Sequence, residues 1–171
     1  MRILRFFTLA LCLLAALALS AQEAPHPPIS NAAFDRLKTL AGNWEGKYVG
    51  PEGSFTGSAS FKLVSGGSTI MLSMDEGKEG EMITMFHPDG GKALMVTHYC
   101  SGQNQPRMRL NGMTDPNKLV FDFVDGTNVS GEHMKKLVIT IIDADHHAEE
   151  WTSDNNGKLT TAKFDYTRVK S

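Results

Sequence analysis

Cysteine is scarce in this chain, with only Cys12 and Cys100 among 171 residues. Cys12 sits inside an apolar run near the start, so a chain that loses the run keeps one thiol and has no internal disulfide, even in an oxidising compartment. Positive charge is short as well. Lys and Arg number 17 against 19 acidic residues, and no concentrated basic face stands out, which argues against a nucleic-acid partner. Long apolar stretches are missing apart from Phe6 to Leu19, which is shorter than the roughly 20 residues that cross a bilayer as a helix. No Gly-x-Ser-x-Gly elbow or Ser-x-x-Lys pattern places a nucleophile. The spacing of Cys and His gives no closed set of metal ligands.

The apolar run has its own meaning. Arg2 and Arg5 precede it, and the small residues Ala18, Ser20 and Ala21 close it, the order of a secretory signal. Leu11 stands where lipidation of Cys12 would need a small residue, so no lipid anchor is expected. The reading is a signal peptide at 1–21 cut after Ser20 or Ala21, a proline-rich linker at 22–30, and one domain at 31–171, in a periplasmic or secreted protein. Loss of Arg2 and Arg5 takes the basic residues from 17 to 15 against 19 acids, and the formal charge from -2 to -4. The remaining 150 or so residues suffice for one core. Oligomeric state stays open.

Ser30 or Asn31 is placed to cap a short helix carrying Phe34, Leu37 and Leu40 on one face, with Gly42 as its left-handed stop. From Trp44 the period becomes two: Phe55, Ala59, Phe61 and Leu63 alternate with Thr56, Ser58, Ser60 and Lys62. Turn residues recur about every ten positions, at Gly50 to Gly53, Ser65 to Gly67, Glu76 to Lys78, Pro88 to Gly91, Ser101 to Pro106, Asp115 to Asn117, Asp125 to His133, Asp143 to Asp145 and Asp154 to Gly157. Nine breaks imply ten strands. No segment is long enough for a crossover helix, so every connection is a hairpin and the sheet antiparallel. Closing it into a barrel removes two bare edges.

Gly42-Asn43-Trp44, opening the first strand after a helix, resembles the Gly-x-Trp signature of lipocalins and their calycin relatives. Arg168, near the end of the last strand, stands where calycins carry an Arg across that Trp, and the pair would join first strand to last. A closer likeness runs through Leu40-Ala41-Gly42-Asn43-Trp44, Thr97-His98-Tyr99-Cys100, Asn104-Gln105-Pro106-Arg107-Met108, His133-Met134, Glu150-Trp151-Thr152 and the final Arg. It is similar to uncharacterised secreted bacterial proteins with a lipocalin-like domain of unknown function. The resemblance implies an all-β, antiparallel ten-stranded calycin-like barrel with a short N-terminal helix, and supplies no activity. The haem-binding nitrobindin type has a comparable glycine-rich opening. Gly42, Trp44, Gly46 and Gly50 fit it loosely, but Tyr48 replaces a glycine and Thr160 to Val169 offers no axial histidine. No cofactor is therefore expected, and haem remains an alternative.

Pairing Cys100 with Arg107 across the Ser101 to Pro106 turn sets Tyr99 against Met108, His98 against Arg109 and Thr97 against Leu110. Extended over the next turn, this register places the row His98, Arg109, Asp122 on one face. The other face carries Thr97, Leu110 and Phe121, then Tyr99, Met108 and Phe123. The apolar face is expected inside, leaving the charged row as a solvated ladder. A bulge near Gly102 would instead turn the row, with His133, into a polar cluster at the barrel mouth. Asp143, Asp145, His146, His147, Glu149 and Glu150 read as a solvated turn without the glycine and closing glutamate of a calcium loop. The eight methionines beyond the initiator suit either core gaps or a cavity for varied apolar guests.

The leading expectation is a binding protein that holds a small apolar or amphipathic molecule in the barrel without turnover. Phe61, Phe86, Thr97, Tyr99, Met108, Phe121 and Phe123 are the expected lining. A ligandless interaction module and a barrel enzyme using His98, Tyr99, Asp122 and His133 are the rivals.

Overall fold

The computed structural model describes residues 30–170 apart from 51, 52, 92 and 114. The signal segment, and the linker as far as residue 29, lie outside the described residues.

Among the described residues one α-helix, α1 (Ala32–Lys38), precedes ten strands: β1 (Gly42–Gly50), β2 (Gly53–Val64), β3 (Thr69–Met74), β4 (Met82–Asp89), β5 (Ala93–Tyr99), β6 (Gln105–Leu110), β7 (Lys118–Thr127), β8 (His133–Ile141), β9 (His146–Asn155) and β10 (Lys158–Arg168). Each strand pairs antiparallel with its neighbours in sequence, and β1 pairs β10, so the sheet is a closed barrel. Short turns impose this meander. Between Asn155 and Lys158 only Asn156 and Gly157 remain, with φ of 53° and 87°, the left-handed pair that a two-residue hairpin needs to follow strand twist.

Helix α1 closes one end. Asn31 caps it, its Oδ1 accepting from the Phe34 N–H at 3.0 Å while its Nδ2 donates to the Ala93 carbonyl at the head of β5. Phe34, Leu37 and Leu40 are buried, and each such side chain contributes about 1.5–3 kcal/mol over an exposed one. Gly42 is not the helix stop, because the helix ends at Lys38 with Thr39 as its cap. Gly42 opens β1 at φ 131°, where an added Cβ would lie 2.8 Å from the Arg168 guanidinium. The Gly of Gly-Asn-Trp is thus explained by contact with the last strand. Four residues on, a Cβ at Gly46 would sit 2.4 Å from the Tyr166 ring.

Trp44 and Arg168 face each other in the β1–β10 ladder, with the guanidinium carbon 4.1 Å from the indole centroid. The same guanidinium donates to the carbonyls of Thr39, Ala41 and Ala144. It therefore binds the open carbonyls at the end of α1 and the β8–β9 turn to the barrel seam.

The expected register holds between β6 and β7, where Arg109 faces Asp122 and Leu110 faces Phe121. Between β5 and β6 it does not. Met108 pairs Val96 and Arg109 pairs Met95, because the hairpin is tighter than expected. The Cys100 N–H donates to the Asn104 carbonyl, and Gln103 takes φ 63° at the end of a three-residue loop. Pro106 lies inside β6 opposite Gly126. The slip is three positions, an odd number, so every side chain of β5 changes face. His98 points inward at 1% exposure, Thr97 faces outward and Tyr99 is 48% exposed. Arg109 and Asp122 stay outside without His98, Arg109 pairing Asp89 and Asp122 pairing Lys136. The irregularity in the β6–β7 ladder falls between Arg107 and Met108, where Val124 of β7 is the extra residue, not near Gly102.

Candidate functional site

The barrel interior is divided lengthwise. The helix end is packed solid: Phe61, Phe86, Met108 and Phe121, four of the expected lining residues, are at most 2% exposed, and the Phe86 and Phe121 rings meet at 5.8 Å. Phe123, another of that set, is half-buried against His133 at 4.8 Å. His133 bonds through Nδ1 to the Gly131 carbonyl, and its Nε2 is buried without a partner.

The opposite end holds a cavity of about 500 Å³. Of the candidate lining and polar-cluster residues expected from the sequence, only His98 lines it. Tyr48, Met74, Met82, Met134 and Phe164 form apolar walls. They come from β1, β3, β4, β8 and β10, so the meander brings distant strands to one chamber. Trp151 forms part of the lining beside His98, the rings 4.9 Å apart. Asp75, Glu132, Asn155, Lys158 and Thr160 supply the polar part of the lining. The Glu132 carboxylate already accepts from the Ser153 hydroxyl at 2.9 Å. Phe55, stacked on Tyr48 at 4.2 Å and 47% exposed, stands at the entrance.

His98 is the chemically unusual member. Its Nδ1 is 2.8 Å from the Thr84 hydroxyl, whereas its Nε2 is buried with no hydrogen-bond partner. Desolvation lowers its pKa to about 4, so the ring is neutral near pH 7.

Beneath Trp151 lies a polar group that the sequence reading assigned to a solvated turn. His147 and Glu149 occupy inward positions of β9 and are fully buried. Glu149 Oε2 accepts the Trp151 indole N–H at 2.8 Å, and Oε1 is 3.2 Å from His147 Nε2. The His147 ring stacks on Tyr166 at 4.8 Å and meets Trp44 edge-on at 4.3 Å. Burial, reinforced by the negative charges of Glu149 and Asp75, pushes the Tyr166 hydroxyl pKa well up. The readable signal was phase: His147, Glu149 and Trp151 are spaced by two, and a strand that buries Trp151 buries the other two. Among the described residues no group of three or more His, Cys, Asp or Glu is arranged to hold a metal ion.

Fold and site together define a closed ten-stranded antiparallel β-barrel, packed at one end and hollow at the other. No protein-family model and no curated protein matches the sequence. Among solved structures, the chain is similar to Rv2717c from M. tuberculosis, at 14% identity and TM-score 0.61, over 81% of this chain and 98% of that one. It is also similar to a protein of unknown function from the DUF3598 family of Nostoc punctiforme PCC 73102, at 14% identity and TM-score 0.55, over 86% of this chain. The match spans only 53% of that longer protein. At these identities the likeness is one of fold.

Proposed function

We propose that this chain is an exported, lipocalin-like (calycin) binding protein that holds a small apolar or amphipathic molecule in the open end of its barrel without chemical turnover. The observation carrying the reading is the 500 Å³ chamber walled by methionine and aromatic side chains, a size and lining suited to one small molecule. Met74, Met82 and Met134 come from three strands, and flexible thioethers adapt to guests of different shape. The solid packing around Phe86 and Phe121 gives the chamber a rigid base. It is also what a ligandless module would have throughout.

The test is saturable uptake of an environment-sensitive apolar dye by purified, solvent-extracted protein, with competition by fatty acids, isoprenoids and porphyrins. Micromolar uptake is expected, and Ala162→Trp, which fills the chamber from β10, should abolish it while the far-ultraviolet spectrum stays native. Failure of the folded protein to take up any probe would favour the interaction module. A Soret band in protein from its native compartment would instead favour haem.

A further inference from the structure

We propose that the guest in the open-end chamber carries an uncharged hydrogen-bond acceptor, a carbonyl oxygen of the ketone, quinone, ester or amide kind, which accepts the Nε2–H of His98. The inference rests on the binding reading above and adds the chemistry that orients the guest.

The direction of one hydrogen bond decides which ring nitrogen carries the proton. Thr84 is fully buried on β4, and among the described residues its hydroxyl has no hydrogen-bond partner except His98 Nδ1, at 2.8 Å. If Nδ1–H donated to the hydroxyl oxygen, the hydroxyl proton and the Nε2 lone pair would both be left buried without partners. With the Thr84 O–H donating to Nδ1 only the Nε2–H is left unpaired, so the proton of the neutral ring sits on Nε2. That N–H is buried and unpartnered, on a side chain lining the chamber. A donor without a partner at the wall of an apolar chamber is a specificity element. It rewards a guest with an acceptor in the right place and leaves a hydrocarbon guest with an unsatisfied N–H.

The acceptor is neutral because nothing near His98 balances a negative charge. Among the described lining residues Lys158 is the one lysine or arginine, and it is exposed on β10 beside the β9–β10 turn, whereas Asp75 and Glu132 are both acidic. A carboxylate driven down to His98 would lose its water and gain only one neutral donor. Trp151, whose indole N–H is committed to Glu149, offers that end of the guest an apolar ring.

Three naphthalenes of similar size test this: 2-acetylnaphthalene, 2-ethylnaphthalene and 2-naphthoate, titrated into the purified chain at pH 7 by fluorescence or calorimetry. In a chamber without a donor the ketone binds more weakly than the hydrocarbon, because its oxygen gives up water. The wild type is expected to prefer the ketone at least about fivefold, and His98→Phe to lose or reverse that preference. Nitrogen-15 spectra of the ligand-free wild type, which need no variant, should show His98 protonated at Nε2, with that resonance moved by the ketone alone. Saturable binding of both neutral probes with no preference for the ketone, a ring protonated at Nδ1, or naphthoate as the tightest probe would each overturn the acceptor while leaving the chamber a binding site. Absence of saturable binding by all three would overturn both readings.

Discussion

Replacing Arg168 by Met keeps most of the apolar stem and removes the charge, so it isolates what the guanidinium does at the barrel seam. The cation over Trp44 at 4.1 Å is worth about 0.5–2 kcal/mol. The three carbonyls it serves, on Thr39, Ala41 and Ala144, lie where water can replace the donor, so each bond adds toward the low end of the usual 0.5–1.5 kcal/mol. The sum is about 2–4 kcal/mol, or roughly 6–15 °C in melting temperature for a domain of this size. Trp44→Leu, at a residue 1% exposed, should cost about 3 kcal/mol by itself. If the stacked pair is one interaction, the double variant should be less destabilised than the two single losses added together, by about 0.5–2 kcal/mol. Chemical denaturation of the four proteins of the cycle measures this term. Additivity within about 0.3 kcal/mol would refute a coupled pair and reduce Arg168 to a helix-end clamp.

Gly46→Ala should destabilise by about 1–3 kcal/mol, because its Cβ meets the ring of the buried Tyr166 at 2.4 Å; an unchanged denaturation midpoint would contradict the packing described. Glu149→Leu leaves the Trp151 indole N–H and His147 Nε2 without their acceptor, and a loss of about 3–5 kcal/mol is expected, with a red-shifted, broadened Trp fluorescence spectrum as the local readout. His98 gives a pH dependence of defined sign. Its folded pKa of about 4 lies below the ordinary 6.5, so between these values the unfolded chain binds more protons than the folded one. Its contribution to stability is whole above about pH 6.5 and is lost as pH falls toward 4, by up to about 3 kcal/mol. His98→Phe should flatten that limb of the stability–pH curve, and an equally steep limb in the variant would assign the effect to other groups.

The strand count was legible because clusters of Gly, Asn, Asp and Pro mark the turns, whereas those in mid-strand, such as Gly46, Gly57 and Pro106, stand singly. The closure pair was legible for a related reason, since the indole and the guanidinium sit at the two ends of a chain that must meet itself. The β5–β6 register was hidden by a single backbone angle. Gln103, not Gly102, takes the left-handed position of the turn, and glutamine does not advertise that conformation, so the loop seemed to run on to Pro106 and the face of His98 was inverted. Phase identifies the inward face of β9, but the charged and polar residues around His147, with Asp143, Asp145 and His146 before it and Glu149 and Glu150 after it, outweighed it. The chamber was the least legible feature. It is formed where side chains from strands all around the barrel converge, and whether large inward side chains fill a barrel or line a space depends on how they interdigitate, which no strand specifies alone.

The seam has a topological consequence. Every ladder but one joins strands consecutive in the chain, and the exception, β1 with β10, joins its two ends. The order of strands is therefore a ring, and the point at which synthesis begins is arbitrary with respect to the sheet. A permuted chain, with a short linker from Val169 to Asn31 and new ends opened at Asn156-Gly157, would keep every hydrogen-bonded neighbour. It would convert the longest-range pairing into one between strands joined through α1 and transfer the closing step to β9 and β10. Folding of that permutant would then be limited by a different seam, one that closes over the chamber and not over Trp44.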